Sequence, residues 1–187
     1  MEVRIKYIRH IVKVFNHKWF VLLAGLQTKA PLWRLIIHDL SKLSPSEMRG
    51  YAWKFYASEK ERSELSGKLM MEFGIGDLIP WGLDPSDWWE YAWLHHQNSN
   101  PHHWEYWIRR PTREPLAMPE WAVREMVADW MAAGKSYSGE WPQENGWEWL
   151  EENYPRIQGH LNQMTKELLA EVLHSVDPQF DFYIFRR

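Results

Sequence analysis

Apolar and polar residues alternate along this chain with the period of a helix rather than of a strand. From Val3 to about Leu26 the apolar positions Val3, Tyr7, Ile11, Val14, Phe15, Val21 and Leu22 recur at helical spacing, and Gly25 with Gln27, Thr28 and Lys29 marks the predicted break. Pro31 suits the first turn of a second helix, Pro31 to about Leu40, where proline's missing N–H would have had no partner anyway. Ser44, Pro45 and Glu47 form a capping-box signature, so a third helix is predicted from Pro45 to about Ala57. Residues 60–77, charged and punctuated by glycine, read as a partly helical, mobile excursion. Asp84, Pro85 and Asp87 start a helix through WWEYAWLHH that Ser99, Asn100 and Pro101 break. After a loop rich in proline and arginine, Arg109 to Pro115, Pro119 opens the helix PEWAVREMVADWMAA, closed by Gly134. A terminal helix is predicted from about Pro155 to His174. With no strand-like alternation and no repeat, the expectation is an all-α, single-domain helical bundle over residues 1–187. The part that carries the candidate metal-ligating residues is expected at about 7–133, with a C-terminal helical extension at about 141–187.

Composition narrows the chemistry. The chain has 22 basic and 25 acidic residues, a formal charge of -3, so no global field favours nucleic acid or an anionic membrane. It has no cysteine, which excludes disulfides and thiolate-bound metals and leaves histidine and carboxylate as metal ligands. The opening MEVRIKYIRH scatters charge among its apolar residues, unlike a signal peptide, and no later run approaches the ~20 apolar residues of a membrane span. A cytoplasmic protein is expected. Its 14 tryptophans read first as core and cleft walls, and second as a platform for rings.

Nine histidines stand at positions 10, 17, 38, 95, 96, 102, 103, 160 and 174, and HD and HH doublets recur among them. A lone histidine on an apolar face is more often satisfied packing, the reading given to His160 and His174. The doublets instead suggest a metal site. If the first two helices form a hairpin turning near Gln27 to Ala30, His17 and Lys18 come opposite His38 and Asp39. His10 lies on nearly the same face roughly 10 Å further along, so His10 and His17 compete for one role. Asp129 and Glu125 share a helix face one turn apart, and an inward carboxylate needs a cation, whether a metal or an arginine. His95 and His96 end one helix and His102 and His103 follow the break, so a loop folding back would present imidazoles from two directions, or else crowd them on a surface.

A histidine on the first helix, the doublet in IIHDLSK, the doublets in LHHQNSNPHH and the aspartate in EMVADW together resemble the ordered metal ligands of the HD-domain phosphohydrolase superfamily. With HKWFV and HHWEYW as further landmarks, the whole chain resembles a small HD-like branch found in phages and bacteria. The resemblance implies an all-α fold with the metal site between helices. It implies a first divalent ion (manganese, cobalt, nickel, iron, zinc or magnesium) on His38, Asp39, Asp129 and either His17 or His10. A second ion would be served by His95, His96 and His102 with Asp39 as bridge. The activity implied is hydrolysis of a small phosphorylated substrate, a nucleotide first, in the cytoplasm of a bacterial or phage-infected host cell. Lys42 would meet a non-bridging phosphate oxygen, and Glu125, ahead of His96, would take a proton from water. Arg109 and Arg110, with His103 and Trp104, would bind the rest of the substrate by guanidinium forks and stacking. No membrane or nucleic-acid partner is expected, and a homo-oligomer is compatible with the pattern. Two rivals stand beside this reading: a di-iron oxygenase of the same fold, and a non-catalytic binding protein stabilised by its metal.

Overall fold

The computed structural model describes residues 2–65, 87–179 and 181. Helices dominate, and among the described residues there is no strand, only one isolated bridge between Ile108 and Pro115. The fold is all-α. No described helix is long and apolar enough to cross a membrane. The chain divides into two compact units: residues 1–15 with 39–99, and residues 16–38 with 100–187.

The first unit holds the N-terminal half of α1 (Glu2–Thr28), a 3-10 turn at Leu40–Leu43, α3 (Pro45–Tyr56) and α4 (Trp88–Ser99). Helices α3 and α4 pack together at one small residue. A Cβ on Gly50 would lie 2.2 Å from the Trp88 carbonyl oxygen and 2.5 Å from the Ala92 Cβ, so only glycine lets the backbones approach this closely. Around that contact Tyr51, Ala52, Trp53, Trp88 and Ala92 are buried, and Trp53 meets Trp88 edge-on at 5.5 Å.

In the second unit lie the rest of α1, α2 (Leu32–Ile37), a 3-10 turn at Trp104–Trp107, α5 (Glu120–Ser138), α6 (Glu148–Ile157) and α7 (Gln163–Val176). Its core gathers Val123, Met126, Val127 and Met131 of α5 against Trp147, Leu150, Leu169 and Leu173. Packing of α5 on α7 organises this unit.

Several boundaries differ from the sequence reading, each for a local reason. Gly25 does not end α1. It is buried inside the helix, where a Cβ would fall 2.4 Å from Leu35, and the stop comes at Lys29, whose φ is 56°. Pro31 is the cap of α2 and not its first residue, and α2 ends at Ile37, before the HD doublet. Gly134 stays within α5, which closes at Gly139 in the left-handed conformation. The predicted terminal helix is two helices, α6 and α7, joined by a 3-10 turn at Gln158–His160, with Pro155 inside α6. Residues 59–65 are helical; the rest of the expected excursion over 60–77, and the helix start at Asp84, lie outside the described residues.

The apolar periodicity of α1 tracks solvent as much as core. Ile5, Ile8, Val12, Phe15, Trp19 and Leu26 are exposed, whereas Lys6, His10, Val14, Val21, Ala24 and Thr28 are buried. Helix α2 likewise exposes Leu32, Trp33, Ile36 and Ile37 while burying Arg34 and Leu35.

Gly50→Ala is expected to destabilise the protein by at least about 2 kcal/mol, because the obstructing atoms belong to backbone and to a packed methyl. Gly159→Ala, where a Cβ would meet nothing within 4 Å, is expected to stay within about 0.5 kcal/mol. Chemical denaturation of both variants beside the wild type checks the pair.

Candidate metal centre

In the second unit the site is built on α5. Ala122, Val123, Met126 and Val127 sink this helix into the core and carry Glu125 inward, one turn before Asp129. Glu125 is fully buried. Its Oε2 accepts from Arg34 Nε at 2.6 Å and its Oε1 from His38 Nδ1 at 3.0 Å, with His102 Nδ1 at 3.4 Å. The Arg34 guanidinium lies against two indoles, 5.2 Å from the Trp33 ring and 4.7 Å from Trp121, where it is buried beside Glu125. Burial alone would raise the Glu125 carboxyl, but hydrogen bonds from His102, His38 and Arg34 outweigh it and hold the group at about 2.

Asp129 completes the arrangement. His17 Nε2 lies 2.9 Å from Asp129 Oδ1 and His38 Nε2 3.3 Å from the same oxygen, with His102 Nε2 4.0 Å from Oδ2. Burial opposes its ionisation, yet His17, His38 and His102 bring its carboxyl well below the usual range. The His38 ring is thus held by a carboxylate at each nitrogen, and it stacks at a tilt 4.2 Å from His102. His102 comes from the loop after α4, which Trp107 pins by donating its indole N–H to the Pro101 carbonyl at 2.7 Å. Ring nitrogens of His17 and His38 and an oxygen of Asp129 lie within 4.8 Å of one another, and so do ligand atoms of His38, His102 and Glu125. These buried groups could hold a metal ion, and their donor set of imidazole and carboxylate suits a divalent transition metal.

The first unit carries the other half of the doublet. Asp39 is fully buried, and its φ of 56° and ψ of 18° are left-handed, a conformation aspartate tolerates better than most residues. It is ion-paired with Lys42, and its Oδ1 lies 3.3 Å from His96 Nε2. His96 Nδ1 is 2.9 Å from Glu47 Oε2, and His95 Nδ1 is 2.7 Å from Glu47 Oε1. Burial alone would lower the His96 pKa, but Asp39 and Glu47 outweigh it and hold the ring above its ordinary value. Glu47 is fully buried; against that burial, His96 and His95 keep its carboxyl below the ordinary range.

Measured against the sequence reading, the two units sort the candidates. Between the competing histidines, His17 is the one beside Asp129. His10 is buried against Tyr51, with its Nε2 3.0 Å from the Lys42 carbonyl oxygen, and burial lowers its pKa. Glu125 is not available as a general base: a carboxylate held at about 2 and clamped by Arg34 and His38 is a poor proton acceptor. His95 is about half exposed and reaches Glu47, and it belongs to none of the ligand groups among the described residues. The Trp104 ring is stacked on His160 at 4.9 Å. His103 leans on His102 at 4.4 Å, while Arg109 and Arg110 lie exposed in the loop between the bridged Ile108 and Pro115, Arg109 pairing with Glu114.

Sequence reasoning missed Arg34 and Glu47. Arg34 was visible as a lone charge inside LWRLII, which demands a partner. Glu47 was hidden by its capping-box spacing. Ser44 does cap α3 in position, but no side-chain cap bond forms, and Glu47 turns inward to the histidines instead.

Fold and site together define an all-α protein with buried histidine–carboxylate clusters able to hold metal. The chain belongs to DUF5662, a family of unknown function, which matches residues 6–175. None of the curated proteins, and none of the solved structures, matches it.

Because Glu125 sits at about 2 in the fold and near ~4.3 when unfolded, its contribution to stability is complete above pH ~4.3 and is lost as pH falls toward 2. Metal-free protein is therefore expected to lose denaturant resistance steeply across that window. Glu125→Gln is expected to be less stable at neutral pH, since Arg34 is left buried without its counter-charge, and to show a flatter acid limb. Urea midpoints measured from neutral pH down to about pH 2 test both statements.

Proposed function

We propose that this chain is a metal-dependent phosphohydrolase of the HD type, acting on a small phosphorylated metabolite with nucleotides as the first substrate class. The observation that supports it most is His38, gripped by Glu125 at Nδ1 and directed by Nε2 at the Asp129 oxygen that His17 also reaches. A ligand histidine whose second nitrogen is tied to a carboxylate has its tautomer and ring orientation set in advance. His17, His38 and Asp129 fit a divalent ion in number and in type. When bound, such an ion lowers the pKa of its water and polarises a phosphate oxygen.

Within this reading the chain's own residues divide the remaining work. Glu125, held by Arg34, orients His38. Asp39, the residue after His38, carries the negative charge that the HD resemblance assigns to the ion, and Lys42 paired with it is the cation for a non-bridging oxygen of the substrate.

Protein purified without added metal is expected to contain about one equivalent of a divalent transition metal by elemental analysis, and His38→Ala and Asp129→Asn are each expected to reduce metal affinity by more than the 10–100-fold typical of outer-shell changes. A phosphate-release screen over nucleotides with manganese, cobalt, nickel and magnesium is expected to find at least one active pair. Full metal occupancy with no release from any pair would sink the hydrolase reading in favour of the oxygenase.

A further inference from the structure

Seven apolar residues of α1, Ile5, Ile8, Val12, Phe15, Trp19, Leu22 and Leu26, follow one another at intervals of three and four residues in strict alternation. All are exposed except Leu22, which is partly buried. The alternation is a heptad repeat, with Ile5, Val12, Trp19 and Leu26 at a and Ile8, Phe15 and Leu22 at d, the pattern of a seam that meets another helix. An ordinary surface helix turns such a stripe toward its own core. In α1 the b, c and f positions face the core instead, where Lys6, His10, Val14, Val21 and Ala24 are buried. The fold therefore leaves the seam unused, and because α1 is one unbroken helix the seam runs continuously along it.

We propose that this face docks a second copy of the chain, α1 against α1 in antiparallel orientation about a two-fold axis between Val12 and Phe15. Each a residue then layers on a d residue of the opposite helix: Ile5 meets Leu22 of the second copy, Ile8 meets Trp19 and Val12 meets Phe15, every pair occurring twice by symmetry. Two of the three pairs set an aliphatic side chain against a large ring, which keeps the layer volumes even. Charge selects the orientation. In a parallel pair Arg4, at g, would meet Arg9, at e of the next heptad, on both sides of the seam. The antiparallel pair sets Arg4 opposite Gly25, Arg9 opposite Leu23 and Asn16 opposite Asn16, so like charges do not meet. Lys18, opposite Ile11, already donates to the Ile36 and His38 carbonyls. A lipid surface also takes an apolar face with basic flanks, but it makes no use of a strict a and d register, whereas a helix of the same period does.

Sedimentation velocity of the full chain over a concentration series tests the pairing. A monomer–dimer equilibrium with a dissociation constant on the order of micromolar is expected, since about 26 Å of seam, Ile5 to Leu22, makes a small interface. Val12→Glu puts a carboxylate into both layers beside the axis and is expected to raise that constant on the order of 100-fold or more. Its circular dichroism is expected to match the wild type, because Val12 is exposed in the single chain. Met164→Glu, the same kind of change at an exposed position of α7, is expected to leave the constant within about threefold. Orientation is read from cysteines placed in a chain that has none. Asn16→Cys is expected to be joined to its own copy by a short bismaleimide, whereas Ile5→Cys, about 26 Å from its copy along the antiparallel seam, is not. Joining at Ile5→Cys without joining at Asn16→Cys means parallel helices and overturns the proposal. So does a wild type that stays monomeric at several times the micromolar range, including one that binds phosphatidylglycerol vesicles as a monomer, and so does a dimer that a folded Val12→Glu leaves intact.

Discussion

A carboxylate removed from water must be met by donors or cations, and this requirement governs the polar interior of both units. Glu125 and Glu47 are fully buried, and each is satisfied by more than one nitrogen. The imidazoles that satisfy them are in turn aimed by them. Orientation of the candidate ligands is therefore a by-product of solving a solvation problem, and the two cannot be separated by a single substitution.

Local backbone choices follow from the same requirement. A continuous helix through residues 38 and 39 would have sent the two side chains 100° apart around its axis. Instead α2 stops at Ile37, His38 leaves the helical region with φ −49° and ψ 129°, and Asp39 takes a left-handed conformation before the 3-10 turn. Strain of this kind persists only where the surroundings over-determine it. Here Lys42 and His96 hold the Asp39 carboxylate in the first unit, while Glu125 and Asp129 hold His38 in the second.

The helical class, and the approximate place of α1, α3 and α5, were legible from periodicity, proline and capping signals. So was the collection of histidines and acids worth watching, because each is a polar residue in an apolar context. The direction in which α1 faces was not legible: apolar and polar residues occupy both sides, and Lys6 is buried because it finds Glu61 and the Trp53 ring, partners 55 and 47 positions away. Gly25 was misread as a stop because a glycine needed for close approach to Leu35 looks the same in one dimension. The choice of His17 over His10 likewise depended on Asp129, more than a hundred residues downstream.

Helix α2 has six residues, too few to be stable alone in water, and four of its apolar side chains face solvent. It is anchored by Leu35, which packs with Val21, Ala30 and Ala132 and close to Gly25, and by Arg34, which pairs with Glu125 beside the Trp121 ring. Its folding is accordingly coupled to the protonation and ligand state of the carboxylate cluster, so this short element and the His38 it delivers belong to one cooperative opening unit. In amide hydrogen exchange such a unit opens as a block, and any ligand of the cluster slows that block in preference to the core of α5 and α7.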